Sequence, residues 1–385
     1  MKVIWWLWEK SLWLTLPISV LFFSMFGIAL MDYYSIEQAV QSTQKKPFSH
    51  YFYSAIYRNV ASLESKIRRR ELPFNQQNIN VDVMYFTVQQ SDINALNQNL
   101  PQSGKEYKPS LMHVNGDTLQ VRLRYRGSNA KHWRDFKKSM RVKIISDEKY
   151  DSLTEFDLIV PSRDTFVGAY LAHQLANKMN LYGPKTKIVW VYINGEAFGL
   201  YLLQETISES TMLNQKRMPG DIYAGDIAEE DAFVGGESTV FDNAQYWEKI
   251  AKSSDYPAKN RAPLKALINY MEQPPENFRV IQQLLDYESF AKFYLFNYLV
   301  ASVNVDDQHN WRLYYDYNLA RFYPIVWDAE GWQKLPQEEG NAHSLDDFLL
   351  RDPAFASEIQ KQWRVLQEHN VLTDFVIQSQ KALID

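Results

Sequence analysis

Residues 188–205 read IVWVYINGEAFGLYLLQE, and this stretch decides the fold of the first half of the chain. Apolar and aromatic residues dominate two runs, 188–193 and 197–203, on either side of Asn194-Gly195. An Asn-Gly pair between two such runs is the strongest short-range signal for a β-hairpin, because both residues tolerate the positive φ angles of a two-residue turn. The stretch therefore predicts two antiparallel strands.

Further strand patterns precede this hairpin. Polar and apolar residues alternate over 81–87, 118–126 and 139–145, which predicts three more strands. Residues 165–180 instead carry apolar side chains at helical spacing. We therefore predict a β-rich lobe over residues 80–206, built on a mixed or antiparallel sheet with one helix.

The second half of the chain has a mainly helical pattern. Helices are predicted at 263–271, 286–303 and 352–385, and short strands at 312–315 and 322–326. The helix that begins at Asp286 is apolar on all sides, which is typical of a buried helix. The prediction is an α+β fold in which a helical lobe, residues 207–385, follows the β-rich lobe.

A candidate membrane span lies near the N-terminus. Residues 11–31 contain no charged side chain and read SLWLTLPISVLFFSMFGIALM. At a rise of about 1.5 Å per residue, a helix of this length crosses a hydrocarbon core of ~30 Å. A cleaved signal peptide is the alternative, but the apolar run is long for one and no convincing cleavage site follows it. We therefore predict one transmembrane helix, which contacts the lipid bilayer through residues 11–31.

The charges around this span predict its orientation. Lys2 and Lys10 precede it, and Asp32 follows it before any basic residue. The positive-inside rule then predicts a cytoplasmic flank at 1–10, with the remaining chain on the other side of the membrane. Residues 32–79 are predicted to form a helical stalk. The expected location is a bacterial inner membrane, crossed once, with the main domain extracytoplasmic.

Composition excludes some functions. The net charge of -5 argues against a general nucleic-acid binder, which needs a basic excess, so no nucleic acid is expected as a partner. The chain has no cysteine, which excludes disulfides, thiolate catalysis and thiolate metal sites.

Acidic and amide side chains lie at the ends of two predicted apolar elements. The run NVDDQHN at 304–310 follows the buried helix, and the run PIVWDAE at 324–330 ends a strand. Their candidate residues are Asp306, Asp307, Asn310, Asp328 and Glu330. Oxygen ligands on two rigid elements can bind Mg²⁺ together with a phosphate, as nucleotide kinases require. A solvated turn at the end of a helix explains the first run equally well by spacing alone.

Basic residues lie on or beside two of the predicted strands. Arg126 ends one strand, and Lys138 and Arg141 lie at the start of the next. If this face borders a cleft, the side chains can clamp a phosphate, because Arg binds phosphate bidentately and Lys acts as a point charge. Exposure to solvent is the alternative. Glu205 ends the second hairpin strand and is either a surface acid or a group that contacts a lysine or a nucleotide.

Four of these segments together resemble the spore-coat CotH kinases, a family of atypical protein kinases with a bilobal fold. The segments are RYRGSN at 124–129 with KSMR at 138–141, Asp164 with the helix after it, YINGEAFGLYLLQE at 192–205, and DDQHN at 306–310 with PIVWD at 324–328. The hairpin segment is the most specific of them. The resemblance covers roughly residues 80–333 and departs from the family at Glu330, where a second Asp is usual, and at Val326, where Pro is usual.

The resemblance implies roles for individual residues. Arg126, Lys138 and Arg141 would contact ATP, with Glu205 at the nucleotide end of the cleft. Asp306 or Asp307 would be the catalytic acid that orients the substrate hydroxyl. Asn310, Asp328 and Glu330 would hold Mg²⁺ (or Mn²⁺).

The prediction from the sequence is a membrane-anchored CotH-like kinase. It transfers the γ-phosphoryl group of ATP to a hydroxyl acceptor, with a Ser or Thr of a protein substrate as the expected acceptor. Two alternatives stay open, because a fold does not fix a function. One is a non-catalytic scaffold of the cell envelope or of surface assembly. The other is an enzyme or binder directed at a polysaccharide.

Overall fold

In the computed structural model, the described residues are 26–27, 81–98, 100, 102–127, 132, 136–160, 166–227, 239–251, 261–272, 278–302, 305, 307–329, 332 and 344–384. Apart from 26–27, they belong to one compact unit, 77–228 with 235–385. The predicted flank, stalk and all but two residues of the predicted span lie outside the described residues. No helix in the described part of the chain is long and apolar enough to cross a membrane.

Seven strands form a closed barrel. They are β1 (Asp82–Val88), β2 (Lys108–Val114), β3 (Asp117–Tyr125), β4 (Met140–Ile144), β5 (Glu155–Ile159), β6 (Thr186–Ile193) and β7 (Glu196–Glu205). Neighbouring strands follow the order β1-β2-β3-β4-β5-β7-β6. All pairs are antiparallel except β1 and β6, which run parallel and close the ring. Each strand therefore has two neighbours, and the sheet has no open edge.

Alternate side chains of the strands fill the barrel. In β4, Met140, Val142 and Ile144 are buried in the core, whereas Lys143 on the opposite face is exposed. The same alternation gave the sequence its strand pattern, because successive side chains of a strand point to opposite faces. The three strands predicted ahead of the hairpin are confirmed as β1, β3 and β4.

The hairpin at Asn194-Gly195 is also confirmed. It joins β6 to β7, and both turn residues have positive φ angles, 50° at Asn194 and 82° at Gly195. The side-chain amide of Asn194 also bonds both the N–H and the C=O of Val88, at 2.9 and 2.8 Å. The turn is therefore tied to the end of β1 as well as closing its own hairpin.

A second sheet lies in the region predicted to be helical. Its strands, in the order β11-β10-β8-β9, are β8 (Asp221–Gly225), β9 (Trp247–Ala251), β10 (Trp311–Asp316) and β11 (Arg321–Pro324). The predictions of β10 and β11 are confirmed, whereas β8 and β9 were not predicted. β8 was missed because all five of its residues are buried, so it has no alternation. β9 carries Lys249, which is buried because it pairs with Asp221 of β8 at 2.6 Å.

Nine α-helices with assigned bounds lie in the described part of the chain. They are α1 (Gln90–Asn97), α2 (Phe166–Lys178), α3 (Glu209–Asn214), α4 (Ala262–Met271), α5 (Phe278–Leu284), α6 (Tyr287–Val300), α7 (Ser344–Leu350), α8 (Pro353–Glu368) and α9 (Val371–Ile384). Helix α6 is the predicted buried helix: Asp286 caps it by accepting a hydrogen bond from Ser289 N–H at 3.0 Å. Helix α2 contacts β6, α6 and α9, so it joins the barrel to the helices of the second half. The predicted α+β class is confirmed.

Candidate functional site

Asn310 and Asp328 come together at one edge of the second sheet. Asn310 directly precedes β10, and Asp328 follows β11 by four residues. Because β10 and β11 are antiparallel neighbours, the start of one and the end of the other meet at the same edge. The Asn310 amide Nδ2 donates to Asp328 Oδ2 over 3.3 Å. The structure thus brings together two residues that the sequence singled out on separate elements.

Both residues have left-handed backbone conformations. The φ angle is 67° at Asn310 and 49° at Asp328. Asn and Asp tolerate this region better than most residues, but it is sparsely populated and is enriched at functional sites. The chain around Asp328 is held by the bond from Val326 N–H to the carbonyl of Tyr182, at 2.7 Å. That bond joins the segment before Asp328 to the connection between α2 and β6.

Asp226 supports this pair and was not predicted. Its Oδ1 accepts a hydrogen bond from Asn310 N–H at 2.8 Å, and its Oδ2 accepts one from Arg312 Nη1 at 3.0 Å. The Arg312 guanidinium also lies 5.5 Å from the ring centroid of Trp327, next to Asp328. One carboxylate therefore orients the chain beside both candidate ligands. Its sequence signal was present, since Asp226 directly follows the apolar run of β8, as Asp328 follows that of β11.

Backbone hydrogen bonds hold the segment that carries the candidate catalytic acids. Val240 N–H donates to the carbonyl of Asp307 at 2.7 Å, and Ile227 N–H donates to that of Gln308 at 2.8 Å. Asp307 is partly buried, whereas Asp306 lies outside the described residues. The position of Asp307 is thus set by two segments that are distant in sequence.

A second acidic group interacts electrostatically with Asp307. Asp346, in the first turn of α7, is 6% exposed. Burial and the charges of Asp347 and Asp307 raise the pKa of Asp346 to about 7. A carboxyl that is partly protonated at neutral pH therefore lies near the candidate catalytic acid. The sequence gave no signal for it, because the charges that act on Asp346 become neighbours only in the fold.

The donor set fits a metal that is bound together with phosphate. Asn310 and Asp328 carry amide and carboxylate oxygens, which Mg²⁺ prefers. Among the described residues, no three His, Asp or Glu side chains group closely enough to hold a metal ion by themselves. Glu330 lies outside that part of the chain. Since Mg²⁺ is usually bound through one or two carboxylates plus substrate phosphates, the pair fits this role and not that of an all-protein cage.

Arg126 and Arg141 converge on one buried carboxylate. Asp157 of β5 is fully buried, and Arg141 binds it bidentately, Nε to Oδ1 at 2.7 Å and Nη2 to Oδ2 at 3.0 Å. Arg126 Nε lies 3.2 Å from Oδ2 of the same residue. Burial alone would lower the pKa of Arg141, but the hydrogen bonds and charge of Asp157 outweigh it and raise the pKa. The structure thus places both arginines in a rigid cluster with an acid that sequence analysis did not identify.

Lys138 lies near Tyr125, and Glu205 contacts Lys185 and Thr211. The Lys138 ammonium is 5.6 Å from the ring centroid of Tyr125, at one end of the barrel. Glu205 is 2% exposed, and its carboxylate accepts hydrogen bonds from Lys185 N–H at 3.1 Å and Thr211 Oγ1 at 3.0 Å. Burial raises the pKa of Glu205, while these two bonds act in the opposite direction. Glu205 therefore links the barrel to α3.

Parts of this chain are similar in sequence to known proteins. A family model described as CotH kinase protein matches residues 123–383, which is more than half of the chain. Inner spore coat protein H of Bacillus subtilis (strain 168) is 28% identical over 117 residues, which cover 30% of this chain and 32% of that protein. The chain thus spans about a third of the length of this curated relative. The matched range of the family model includes Arg126, Asp157, Asn310 and Asp328.

Proposed function

This chain belongs to the CotH kinase family, and on that premise we propose that it is a kinase that transfers the γ-phosphoryl group of ATP to a hydroxyl acceptor. The observation that carries the proposal is the 3.3 Å contact between Asn310 and Asp328. An amide and a carboxylate at adjoining strand ends are suited to bind metal and phosphate together. The proposed acceptor is a Ser or Thr of a protein.

The proposed metal ligands are Asn310 and Asp328, with Glu330 as a third. Bound Mg²⁺ (or Mn²⁺) would neutralise negative charge on the phosphates of ATP. The protein holds these two side chains in place. Asp226 contributes by accepting a hydrogen bond from the backbone N–H of Asn310. Such preorganisation is the main protein contribution in phosphoryl transfer, where positioning and electrostatics dominate.

The basic side chains are proposed to hold the phosphates. Asp157 uses two N–H donors of Arg141, and an Arg carries five, so donors on the same fixed guanidinium can bind a phosphate. Lys138 would add a point charge. Asp307, or Asp306 beside it, would accept a hydrogen bond from the acceptor hydroxyl and aim it at the γ-phosphorus.

We also propose that residues 11–31 anchor the kinase in a bacterial inner membrane, with the main domain extracytoplasmic. The length of this uncharged stretch and the charges around it support the proposal. A reporter fused after Asp385 that is active only outside the cytoplasm tests the orientation. Activity of a reporter that works only in the cytoplasm would reverse it.

Transfer of labelled phosphate tests the kinase proposal. The full chain is incubated with γ-labelled ATP and Mg²⁺ or Mn²⁺, and both ATP binding and label on protein are measured. Wild type is expected to bind ATP and to transfer label, and Asp328→Asn is expected to lose transfer by about 10²-fold or more. The matched control is Asp117→Asn, on the exposed β2–β3 hairpin. ATP binding without transfer would favour the scaffold alternative, and no ATP binding would reject the kinase.

A further inference from the structure

A cavity of about 400 Å³ lies at one end of the barrel, where β3 ends, β4 begins and β6 turns into β7. This volume lies within the range of ligand pockets, and the mouths of barrels are common places for them. The floor consists of barrel-core residues, among them Leu96, Leu123 and Met140, all of which are almost completely buried.

A β-bulge shapes the wall of this cavity. Val191 of β6 pairs with Gly199, whereas Tyr192 pairs with Ala197, so Phe198 is an extra residue in β7. Gly199 has a φ angle of 78°, a conformation that glycine adopts without strain. Bulges at barrel rims commonly redirect a side chain next to a binding site. Here the bulge places Phe198 in the cavity wall, against the barrel core.

The segment 136–138 borders the cavity through Phe136 and Lys138 and is attached to β7 at three points. Phe136 stacks on Phe198 with ring centroids 5.1 Å apart, and the ammonium of Lys137 donates to the carbonyl of Leu200. The Tyr201 hydroxyl donates to the carbonyl of Lys138 at 3.2 Å. The rim therefore carries several aromatic rings in fixed positions.

The amide groups of the lining have partners inside the protein. Asn194 is bonded to the backbone of Val88 as described above, and Asn97 donates to the carbonyl of Ile93 and accepts from the Tyr125 hydroxyl. These groups shape the cavity and are already engaged. Two charged side chains, Lys138 and Glu196, belong to the described lining. Glu196 is exposed at the hairpin turn.

We propose that this cavity binds a small anionic aromatic compound, an aryl carboxylate or sulfonate, whose ring packs against Tyr125 and Phe198 and whose anionic group lies beside Lys138. Aromatic walls favour offset or edge-on contact with an aromatic ligand. The positive charge of Lys138 selects the anionic head group. The proposal goes beyond the kinase function but shares Lys138 with it, and the test measures binding without nucleotide, so that failure of one proposal is distinguishable from failure of the other.

Calorimetric titration of the full chain with 2-naphthoate tests this site. Wild type is expected to bind one equivalent, about tenfold more tightly than the neutral analogue 2-methoxynaphthalene. Ile93→Trp fills the cavity and is expected to weaken binding by more than about tenfold, and Phe198→Ala by about threefold to tenfold. The matched control is Tyr85→Ala, which removes a ring from the stacked pair Tyr85–Tyr192 on the outside of the same barrel and should leave binding unchanged.

Thermal unfolding of each variant shows whether it is folded. If Ile93→Trp does not fold, Phe198→Ala decides, because this side chain is only partly buried at the rim. Equal binding of the neutral and anionic compounds would overturn the proposal. Wild-type affinity in the folded Phe198→Ala variant, or an equal loss in Tyr85→Ala, would overturn it as well.

Discussion

Asp226 accepts a hydrogen bond from the backbone N–H of Asn310 at 2.8 Å, across 84 residues of sequence. Its second carboxylate oxygen is bonded to Arg312 Nη1 at 3.0 Å, so one side chain fixes both the residue before β10 and the second residue within it. The Asp226 side chain is 44% exposed, and its ion pair with Arg312 therefore contributes little to global stability. We infer that Asp226 acts by positioning Asn310.

Asp226→Ala tests this positioning role. The variant is expected to lose phosphotransfer by about 10–100-fold, the usual cost of removing a partner that orients a metal ligand. The Mg²⁺ concentration for half-maximal activity should rise, while the melting temperature changes little. Asp226→Asn keeps one acceptor oxygen and should lose less. An unchanged Mg²⁺ dependence together with a large fall in melting temperature would point to a purely structural role.

Substitutions at Asn310 separate backbone strain from chemistry. Asn310 has a φ angle of 67°, which costs most residues with a Cβ about 1–2 kcal/mol, costs Asn less and costs glycine almost nothing. Asn310→Gly and Asn310→Ala should both lose activity by about 10²-fold, because both remove the side-chain amide. Only Asn310→Ala should lower the free energy of unfolding, measured in urea. Retained activity in Asn310→Gly would remove this amide from the proposed metal site.

Asp157 should be important for stability. It is fully buried and is the shared partner of Arg126 and Arg141, whose side chains are 19% and 22% exposed. Asp157→Ala leaves two poorly solvated guanidinium groups without their carboxylate, so a loss of about 3–5 kcal/mol in urea unfolding is expected.

Glu155→Gln is the matched control for Asp157→Ala. The Glu155 carboxylate lies 3.8 Å from Arg141 Nε and is 27% exposed, so its loss should cost less than about 1 kcal/mol. Similar effects of the two substitutions would mean that the arginines do not depend on Asp157.

Asp346 should make stability depend on pH. Its pKa is raised from the ordinary 3.8 to about 7, so between these values the folded protein binds more protons here than the unfolded chain does. The free energy of unfolding contributed by this group therefore falls as the pH rises from about 4 to 7. Asp346→Asn stays neutral in both states and should be more stable than wild type at pH 8, with a smaller difference at pH 5.

The pH test of Asp346 compares each variant with wild type at the same pH. This design is needed because burial lowers the pKa of His173 to about 4, which changes stability in the opposite sense between pH 4 and 6.5. Asp347→Asn removes a neighbouring charge that raises the pKa of Asp346 and should shift the window downward. A stability difference for Asp346→Asn that is the same at pH 5 and 8 would contradict the raised pKa.

Local patterns predicted the elements that are stabilised locally. The Asn194-Gly195 turn and the apolar helix after Asp286 carry their signals in adjacent residues, and both are confirmed. Asn310 and Asp328 were both singled out from the sequence because each follows an apolar element, and their contact is a consequence of the pairing of β10 with β11. The parallel pairing of β1 and β6, which closes the barrel, was not predictable. The two strands lie more than a hundred residues apart, and neither sequence identifies its partner.

For the candidate site as well, the sequence indicated the residue types but not the contacts between residues distant in sequence. The residue types at 126, 141 and 328 pointed to phosphate and metal. However, Asp157, which binds Arg126 and Arg141, and Asp226, which binds Asn310, act through contacts that depend on the fold. Sequence spacing gives no measure of such contacts. A buried acid on a strand is recognisable as important only when its cationic partners are seen.

Because the strands form a closed ring, the folding unit begins at β1, well before the residues matched by the family model. A fragment cut to the matched residues 123–383 would lack β1, β2 and most of β3. β6 and β4 would each lose a neighbour and present rows of unpaired N–H and C=O groups, together with the apolar interior of the barrel. Such exposed edges pair with other chains. Fragments that begin within the ring should therefore aggregate, and soluble fragments should begin before Asp82.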